Sequence, residues 1–506
     1  MPNYLIREID ATQPSSYTGE NNVVVIPGFK GEGGTAEIGE FTLVSSVAEF
    51  TTLFGSKPAL IGTEKVEDKS WIMAWELLNL GMQVIYCAVV ENNTAAASAT
   101  SISNLKAKLE TQEFWAPLAD RSLYDFRFLT SGAYCADALV TPIQKITKAT
   151  KVYLRSAEDD TVATSEGAVL NFCAWKYTPA KIDASNKIEF LYTLTTKLST
   201  SVYTYTIENG VATKGAALKA NEIVEDAGKQ ASQIAAQMIN IANVIIANGV
   251  QKGRGDIVVI IDRQSGTTSA VEVSDDYQVI GELQGAEYAT GFTPWCNINT
   301  ICPHNADAKN VVLLPPSYAY LSAYAQATQF APSWNAVAGS ARGIIPNLVS
   351  PEFKFGEVDA NVLMSRLGTK VSVNPICQVR PFGFIIWGNR TLKPNKGIAE
   401  NAEGLTATSF LNVRNLICSI KKTLYAASRK FTFEQNTNTL WINFKAAVTP
   451  LLDRLVTGNG ISSYSLRREA TTDKAKLKAI ISIRAIEAVE DFDLTVYVTD
   501  TVETIE

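Results

Sequence analysis

Apolar positions along the chain recur with two periods, and each period predicts a different element. In LVSSVAEFTTLFG, Val47, Phe50 and Phe54 recur at helical spacing. SWIMAWELLNLG, the next apolar segment, predicts a helix that is capped by Ser70 and ends at Gly81. The strand-like MQVIYCAVV follows it. This helix-then-strand order is typical of a layered α/β core.

The same order returns in the middle of the chain. GKQASQIAAQMINIANVIIANG predicts a helix with four apolar residues on one face, Ile234, Met238, Ile241 and Ile245. QKGRGD then leads into the apolar strand IVVIID, and VVLLPPSYAYLSAYAQATQF predicts a strand followed by a helix that begins at a proline. The α/β core is therefore expected to span residues 23–135 and 223–373.

Between those two spans the composition changes to Thr, Ser, Lys and alternating aromatics. TSVYTYTIENGVAT alternates with period two and contains Asn209-Gly210, a strong hairpin signal. Residues 136–222 are thus predicted to form a β-rich surface module inserted into the core. Residues 1–22 have no helical period and are predicted to form an extended N-terminal arm.

A second α/β unit is predicted from residue 374 to 486. VRPFGFIIWGNRTL, from Val379 to Leu392, is expected to be one strand that halts at Gly388. Its first helix, within SFLNVRNLICSIKKTLYAASRKF, has one broad apolar face of Leu411, Leu416, Ile420 and Leu424. The second, TLWINFKAAVTPLLDRLVTGNG, is expected to contain a kink at Pro450, to end at Gly458 and Gly460, and to turn inward Trp441, Val448, Leu451 and Leu455.

Two strands are predicted near the C-terminus, at 479–486 and 492–499, in AIISIRAI and DFDLTVYVTD. Neither has an obvious partner nearby in the chain, and an open sheet edge is a template for another chain. The predicted fold class is therefore a multidomain α/β (α+β) protein. It has an α/β core with an inserted β-rich module, a C-terminal α/β assembly domain, and extended arms at 1–22 and 487–506.

Composition and charge narrow the function. The chain has 506 residues, 46% of them hydrophobic, and a net charge of −6, which disfavours nucleic-acid binding because no basic excess is available to neutralise phosphates. MPNYLIREID lacks the features of a signal peptide, and no apolar run approaches the roughly 18 residues that span a bilayer. We therefore expect a protein that is made and kept in a cytoplasm and does not insert into membranes.

Familiar catalytic and metal-binding patterns are missing from the sequence. Cys296 and Cys302 lie near His304, the single histidine, but no fourth ligand is close, so a packing role is favoured over a metal site. No Gly-x-Ser-x-Gly or His-Glu-x-x-His motif accompanies that histidine. GFKGEGGTAEIG, from Gly28 to Gly39, lacks the Lys-Ser/Thr of a phosphate-binding loop and precedes the extended EFTLV, so it is predicted to be a turn. The sequence thus predicts no enzyme, cofactor or metal.

The triplet Asn389-Arg390-Thr391 allows two interpretations. As a structural joint, Trp387 would bury its ring beneath adjacent helices, Gly388 would permit a turn, and Arg390 would bind carboxylates or main-chain carbonyls. As a catalytic site, Arg390 would stabilise an anion, but no base or nucleophile clusters with it in the sequence. The joint is the favoured interpretation.

Several segments resemble one family. NPICQVRPFGFIIWGNRTL, SFLNVRNLICSIKKTLY, FEQNTNTLWINF and IEAVEDFDLTVYV resemble, in order and spacing, the C-terminal domain of the contractile tail sheath proteins of bacteriophages. That family typically shows Trp-Gly-x-Arg-Thr-Leu, an Asn-Val-Arg helix and Phe-Glu-x-Asn-x-x-x-x-Trp. Upstream, FTLVSSVAEFTTLFG, GRGDIVVIIDR, EYATGFTPW and AVAGSARGIIPNL are similar to its large-phage branch. The resemblance covers nearly everything except about 136–222.

The resemblance implies a mechanical protein of the virion tail, assembled in the host bacterial cytoplasm. Such subunits stack as six-fold rings in a helical tube around an inner tail tube, meet baseplate and tail terminator proteins, and contract to drive the tube through an envelope for genome ejection. Neighbours are linked by strand exchange, which here implies the residues Tyr4, Ile6, Ile481, Ile483, Ile486, Phe492, Leu494, Val496 and Val498. The implied scaffold of the C-terminal domain is Trp387, Gly388, Arg390, Arg414 and Trp441.

The helix from Ser409 to Lys430 is the most basic C-terminal element and has no acidic residue. Its cations either complement the helix C-terminus or contact an acidic inner-tube surface through Lys421, Lys422 and Arg429. Three alternatives to a phage sheath stay open: a non-contractile tail or baseplate structural protein, the sheath of a phage-like contractile injection particle, and an α/β enzyme with a β insert.

Overall fold

A computed structural model describes most of the chain. The described residues are 22–61, 65–90, 98–134, 140–148, 151–153, 164–166, 174–182, 187–195, 200–208, 211–214, 222–247, 250–266, 269–305, 310–364, 371–394, 406–471 and 476–488. The chain divides into two compact units. One comprises Met1–Leu139 and Gln233–Glu506, and the other comprises Val140–Ser232.

The α-helices, in chain order, are α1 Val47–Phe54, α2 Lys69–Asn79, α3 Ser98–Leu109, α4 Gln112–Trp115, α5 Gln233–Ala242, α6 Ala270–Gly281, α7 Pro316–Ala327, α8 Gly339–Arg342, α9 Glu357–Leu363, α10 Leu411–Arg429 and α11 Asn438–Thr457. Short 3₁₀ helices cover Ala116–Ala119, Ala286–Tyr288 and Ala407–Ser409. None of the helices in the described ranges is long and apolar enough to cross a membrane.

The strands, in chain order, are β1 Val23–Gly28, β2 Phe41–Val44, β3 Leu60–Ile61, β4 Val66–Glu67, β5 Gln83–Ala88, β6 Phe128–Thr130, β7 Val140–Lys148, β8 Lys151–Tyr153, β9 Thr164–Glu166, β10 Ala174–Ile182, β11 Lys187–Thr195, β12 Thr200–Glu208, β13 Val211–Lys214, β14 Glu222–Ala231, β15 Ile245–Ala247, β16 Val250–Lys252, β17 Val258–Ile261, β18 Ala289–Thr293, β19 Cys296–Asn299, β20 Val311–Leu314, β21 Leu348–Pro351, β22 Asn374–Val379, β23 Gly383–Ile386, β24 Ile461–Glu469 and β25 Lys478–Ala485. The fold is mixed α/β, as the sequence predicts.

An eight-stranded sheet organises the first unit, with the order β2-β5-β1-β6-β17-β18-β22-β23. The strands from β5 to β22 run parallel, and the edge strands β2 and β23 pair antiparallel. Strands such as β1 and β17 are buried along their whole length, as expected where helices cover both faces of a sheet. On one face, aromatic residues of α7 pack on the strands: Tyr320 stacks on Phe292 at 4.5 Å, and Tyr324 meets Phe128 edge-on at 4.8 Å.

The first predicted helices are confirmed, with one wrong detail. α1 buries Phe50 and Phe54, and Gly81 follows α2 with a left-handed φ of 86°. Ser70, however, lies inside α2 and does not cap it. The N-cap is Asp68, whose side chain accepts a hydrogen bond from the backbone N–H of Ser70, because the helix begins two residues earlier than the sequence suggests.

The predicted helix face that runs from Ile234 to Ile245 is only partly correct. α5 buries Ile234, Met238 and Ile241 but ends at Ala242, and Ile245 lies in β15. The backbone N–H groups of Arg254 and Gly255 donate to the carbonyls of Ile241 and Ala242 at 2.9 Å. These bonds satisfy the last turn of the helix, so the chain turns into the β15–β16 hairpin.

The second unit consists of short antiparallel sheets. β10 to β13 form a four-stranded meander, and β7 pairs with β14. In the meander Glu208 faces Val211, and the predicted Asn209-Gly210 turn between them lies outside the described residues. The module was predicted to end at residue 222, where β14 begins, whereas the compact unit includes β14.

The segment from Val379 to Leu392 is not one strand. β22 ends at Val379, the chain turns through 380–382, and β23 runs from Gly383 to Ile386. Gly383 has a left-handed φ of 87°, which other residues rarely adopt and which permits the tight return. Both strands belong to the eight-stranded sheet, although the sequence assigned them to the C-terminal domain.

Candidate assembly site

β24 and β25 form a two-stranded antiparallel sheet near the C-terminus. The prediction that residues 479–486 lack a partner in the chain is wrong, because β25 pairs with β24 over its whole length. The partner was overlooked because ISSYSLRRE carries serines where an apolar alternation would reveal a strand. Within the ranges that the structure describes, neither strand pairs with a third one, and an outer edge of this kind is a template for a further strand.

One face of this sheet packs on helices, and the other faces solvent. Tyr464, Leu466, Ile481 and Ile483 are partly buried against the apolar cluster of α10 and α11. Their strand neighbours on the opposite face, such as Ser465 and Ser482, are exposed. The sheet is therefore anchored on one side, and the described part of the chain adds no further strand to its edges.

The predicted subunit-linking residues fall into two groups. Ile481 and Ile483 lie in β25, and Ile486 follows it with 39% of its surface exposed while its N–H donates to the Gly460 carbonyl. The other linking residues lie outside the described residues: Tyr4, Ile6, Phe492, Leu494, Val496 and Val498.

Helices α10 and α11 support the sheet with an apolar cluster of their own. The inward faces predicted from the sequence include Leu416, Ile420, Val448 and Leu455, which are buried. Trp441, Leu424 and Leu451 are only partly buried. Phe444 and Leu452 are the buried members that the sequence interpretation missed. The longer apolar stretch around Pro450 offered several equivalent helical faces, and only packing selects one of them.

Behind the helices, the Asn389-Arg390-Thr391 triplet lies in a network of buried hydrogen bonds. The Asn374 amide donates to the Thr290 hydroxyl and to the carbonyls of Gly291 and Arg390, and its Oδ1 accepts the Arg390 N–H at 2.7 Å. The Arg390 guanidinium stacks on the Phe410 ring at 4.4 Å. These contacts tie the end of β23 to the start of α10.

Asn389 completes this joint by reaching α10 and the core. Its amide donates to Asn412 Oδ1 at 2.7 Å, its Oδ1 accepts the Asn412 N–H, and the Asn412 amide donates to the Trp334 carbonyl. A Cβ on Gly388 would lie 2.7 Å from Asn374 Oδ1, so glycine is required for this close approach. Trp387 does not bury its ring as predicted. It is 45% exposed because β23 ends one residue earlier and leaves the ring outside the joint.

The basic residues of α10 do not form one outward patch. Lys422 donates to Asp125 Oδ1 at 2.5 Å and to the Phe126 carbonyl at 2.6 Å. Burial lowers the pKa of Lys422 to about 8, against the opposing effect of Asp125. Lys421 contacts the Tyr288 hydroxyl at 3.3 Å. Both lysines therefore make contacts within their own chain.

The two arginines of α10 that were predicted as site residues, Arg414 and Arg429, differ in their exposure. Arg414 is buried, with its guanidinium 4.3 Å above the Tyr288 ring, which fits a scaffold position. Arg429, at the end of α10, and Arg121 both stack on Tyr425, at 5.9 and 5.2 Å. Tyr425 is 37% exposed, so this end of the helix presents cations to solvent. Another arginine, Arg127, had no signal in the sequence, yet it donates to the Asn415 carbonyl and the Ser419 hydroxyl of α10.

Open α/β sheets usually bind ligands outside the carboxyl ends of the strands where the strand order reverses. Here that point lies between β1 and β6, and the chain's own side chains fill it. Asp68 accepts hydrogen bonds from the Phe29 N–H at 2.8 Å and from the Tyr134 hydroxyl at 2.7 Å. A Cβ on Gly132 would lie 2.3 Å from Ser70 Oγ. Burial raises the pKa of Asp68, and these donors oppose that shift.

His304 contacts side chains from two segments of the chain. Its Nδ1 lies 2.7 Å from Glu67 Oε2 and its Nε2 lies 2.6 Å from the Thr300 hydroxyl. Burial raises the pKa of Cys302 to about 12, so this neighbouring thiol stays protonated. Among the described residues, no group of three metal-ligating side chains occurs. The Gly28–Gly39 stretch leads into strand β2 and not into a helix, as predicted.

Comparison with known proteins adds the fold relationship. No protein-family model matches the sequence, and no curated protein matches it. One similar solved structure is the sheath complex of the extracellular contractile injection system PVC in its contracted state. Its TM-score is 0.55 and its identity 13%, and the match covers 98% of this chain and 97% of that chain.

Two similar structures are baseplates of the anti-feeding prophage AFP. The six-fold symmetrised baseplate has a TM-score of 0.53 at 12% identity and covers 99% of both chains. The contracted baseplate has a TM-score of 0.52 at 13% identity and covers 98% of this chain and 99% of that chain. The chain therefore shares, over nearly its full length, the fold of chains from contractile injection assemblies.

Proposed function

We propose that the chain is the structural subunit of a contractile sheath. The observation that carries this proposal is the fold likeness over at least 97% of both chains to the PVC sheath complex. The filled crevice between β1 and β6 supports a mechanical rather than an enzymatic role, because the usual ligand position of an open α/β sheet is occupied by Asp68 and Tyr134.

In this proposal, copies of the chain polymerise as stacked rings around an inner tube, and neighbouring arms complete the β24–β25 sheet. A two-stranded sheet is marginal by itself, and two open edges accept one extra strand each. Each added backbone hydrogen bond contributes only about 0.5–1.5 kcal/mol, but several per arm over many subunits give a durable mesh. The segments 1–22 and 487–506 are the proposed arms.

Of the residues that the sequence suggested for the inner-tube contact, only the one at the end of α10 remains a candidate. Lys421 and Lys422 bind Tyr288 and Asp125 of the same chain, which leaves Arg429, beside Arg121, as the exposed one of the three candidate cations for an acidic tube surface. The β-rich module is proposed to be dispensable for polymerisation because Val140–Ser232 is a compact unit of its own.

Two related functions are retained. The likeness to chains of the AFP baseplate favours a baseplate or other non-contractile tail component as the second candidate. Bacteriophage tails and phage-like injection particles are both compatible sources, and genome ejection applies only to the former.

Electron microscopy of the purified chain tests the proposal. Hollow cylinders that shorten on a trigger such as mild denaturant are expected of a sheath. Rings or tubes of constant length would favour the baseplate or tail alternative, and monomers at all concentrations would contradict both functions.

A further inference from the structure

The solvent-facing side of the β24–β25 sheet carries a net positive charge. Arg467 of β24 and Arg484 of β25 are exposed on it, because they alternate with the residues that pack on the helices. A third cation, Lys478, already pairs with Glu469 of β24 at 2.8 Å. Among the described residues, Arg484 forms no ion pair. Arg484 is therefore available to a carboxylate from another chain.

The two edges of this sheet differ. β25 contains no acidic residue, and its pairing with β24 is regular from Lys478 to Arg484. β24 ends in Glu469, and its register shifts between Ile461 and Ser463. Like charges on neighbouring strands destabilise a sheet, so of the two edges β25 is the better one for an acidic strand.

The C-terminal segment 487–506 has the charge and the pattern that fit this edge. It contains seven acidic residues and no lysine or arginine. The strand predicted within it alternates an apolar set, Phe492, Leu494, Val496 and Val498, with a polar set, Asp493, Thr495, Tyr497 and Thr499. The apolar set matches the packed face of β25, and the polar set matches its solvent-facing side.

We propose that segment 487–506 of a second copy adds to the outer edge of β25 as an antiparallel strand, with Asp493 opposite Arg484. In this register Leu494 lies opposite Ile483 and extends the apolar face over α10 and α11. A parallel strand would instead place the acidic start of the segment beside Lys478, which is already paired. The inference rests on the proposed function and specifies the edge, the direction and the register of one exchanged arm.

The sequence after β25 favours a second copy over the chain's own segment. To fold back onto its own β25, the chain would need a turn between Ile486 and Asp491. The four residues between them are Glu-Ala-Val-Glu, without the Gly, Pro, Asn or Asp that tight turns favour. The segment is therefore better suited to continue to a neighbour.

Disulfide trapping between two chains tests the register. One chain carries Ser482→Cys and the other Thr495→Cys, which are opposite each other in the proposed pairing. Both also carry Cys135→Ser and Cys173→Ser, and the five cysteines of the described ranges are buried. Mild oxidation of mixed cylinders should give a dimer linked through these two positions, because opposite residues have Cα atoms within the roughly 7 Å that a disulfide needs.

Ser465→Cys is the matched control, because Ser465 lies opposite Ser482 on β24 and has the same exposure. It would lie about 10 Å from Thr495 and should give no dimer with the Thr495→Cys chain. Equal or stronger trapping at Ser465 would overturn the choice of edge. Tyr497→Cys should trap with Ile480→Cys, and failure of this pair would overturn the antiparallel direction.

Two further measurements separate this contact from other outcomes. A diluted chain that carries both Ser482→Cys and Thr495→Cys should keep free thiols, and an internal disulfide would overturn the second copy as the source of the strand. Cylinders in electron micrographs report separately on the proposed function. If none form, concentrated mixed chains are oxidised in solution, where a dimer supports the contact and its absence overturns it.

Charge reversal tests the ion pair. At low salt Arg484→Glu should lower the yield of the trapped dimer about fivefold, and adding Asp493→Arg to the partner chain should restore it. Arg467→Glu, on the same face of β24, is the control and should have a smaller effect. The loss should disappear at about 1 M salt, which screens exposed charges. Equal losses for the two arginines, or no restoration, would overturn the pairing of Arg484 with Asp493.

Discussion

The eight-stranded sheet and the β24–β25 sheet differ in how far their faces are buried and in how many strands the chain supplies to each. The large sheet has fully buried central strands and antiparallel strands at its edges, and helices α2 and α7 contribute fully buried side chains such as Trp71 and Tyr320 to its core. The small sheet has one partly buried face and, in the described part of the chain, no third strand. The first buries its central strands within one chain, whereas the second is the sheet that we propose gains strands from other chains. The proposed function therefore assigns stability and assembly to different regions.

The largest expected effect is a loss of assembly without a loss of folding. Deleting residues from Glu487 onward should abolish cylinders, because the proposed exchanged arm is lost, while the core keeps its fold. Sedimentation and circular dichroism measure the two properties on one sample. Cylinders from the shortened chain would contradict the mesh, and global unfolding would show that this segment belongs to the core.

A large stability effect is expected only in the eight-stranded region. Trp71→Ala should lower the free energy of unfolding by about 3–5 kcal/mol, because the ring is fully buried and its Nε1 donates to the Phe54 carbonyl. Trp387→Ala is the matched control, since that ring is 45% exposed, and should change stability by less than about 1 kcal/mol. Denaturant titration compares them, and equal losses would contradict the exposed position of Trp387.

An intermediate effect is expected at the joint between the regions. Asn374→Ala should cost about 2–3 kcal/mol, because it leaves buried groups such as the Arg390 N–H without their partner. Asn443→Ala, on the exposed side of α11, is the control and should be close to neutral. A neutral Asn374 variant in thermal or denaturant unfolding would show that this network does not hold the joint.

The smallest expected effect is a pH dependence of the free energy of unfolding, which arises in the core. Burial raises the pKa of Asp262 to about 7, against its hydrogen bonds from Ser317. A raised folded-state pKa stabilises the protein below the unfolded value near 3.8, and this stabilisation is lost as pH rises through about 7.

Asp262→Asn should remove that dependence. The difference in unfolding free energy between wild type and variant should change between pH 4 and 7 by up to about 1.4 kcal/mol per pH unit, with the variant relatively more stable at pH 8. Val271→Ala, on the exposed side of α6, should give a flat difference because it removes no ionisable group. An equally flat difference for Asp262→Asn would refute the raised pKa.

Periodicity predicted those elements whose signals are local. α1, α2, α10 and β5 follow from apolar spacing, and the mixed α/β class follows from their order. The prediction that Ser70 caps α2 was wrong because Asp68, two positions earlier, is an equally good capping residue. Only the backbone conformation decides between them. The prediction that Ile245 continues the helix was wrong because backbone hydrogen bonds from residues 254 and 255 to the last turn end α5 early.

The contacts of the candidate site were less predictable because their partners are distant in sequence. Arg127 binds Ser419 across 292 residues, and Asn374 binds Thr290 across 84, and neither pair carries a local signal. Strand β24 escaped notice because a sheet with one solvated face tolerates serines. The triplet around Arg390 could be assigned to a joint from its lack of catalytic neighbours, but the network that holds it became visible only in three dimensions.

The claim that neighbouring copies complete the β24–β25 sheet is tested most directly by hydrogen exchange of its backbone amides. In free chains the outer-edge amides of β24 and β25 should exchange rapidly, and in cylinders they should become strongly protected, while amides of β1 and β17 are protected in both states. Cylinders in which the outer edges of β24 and β25 exchange as fast as in free chains would contradict the account.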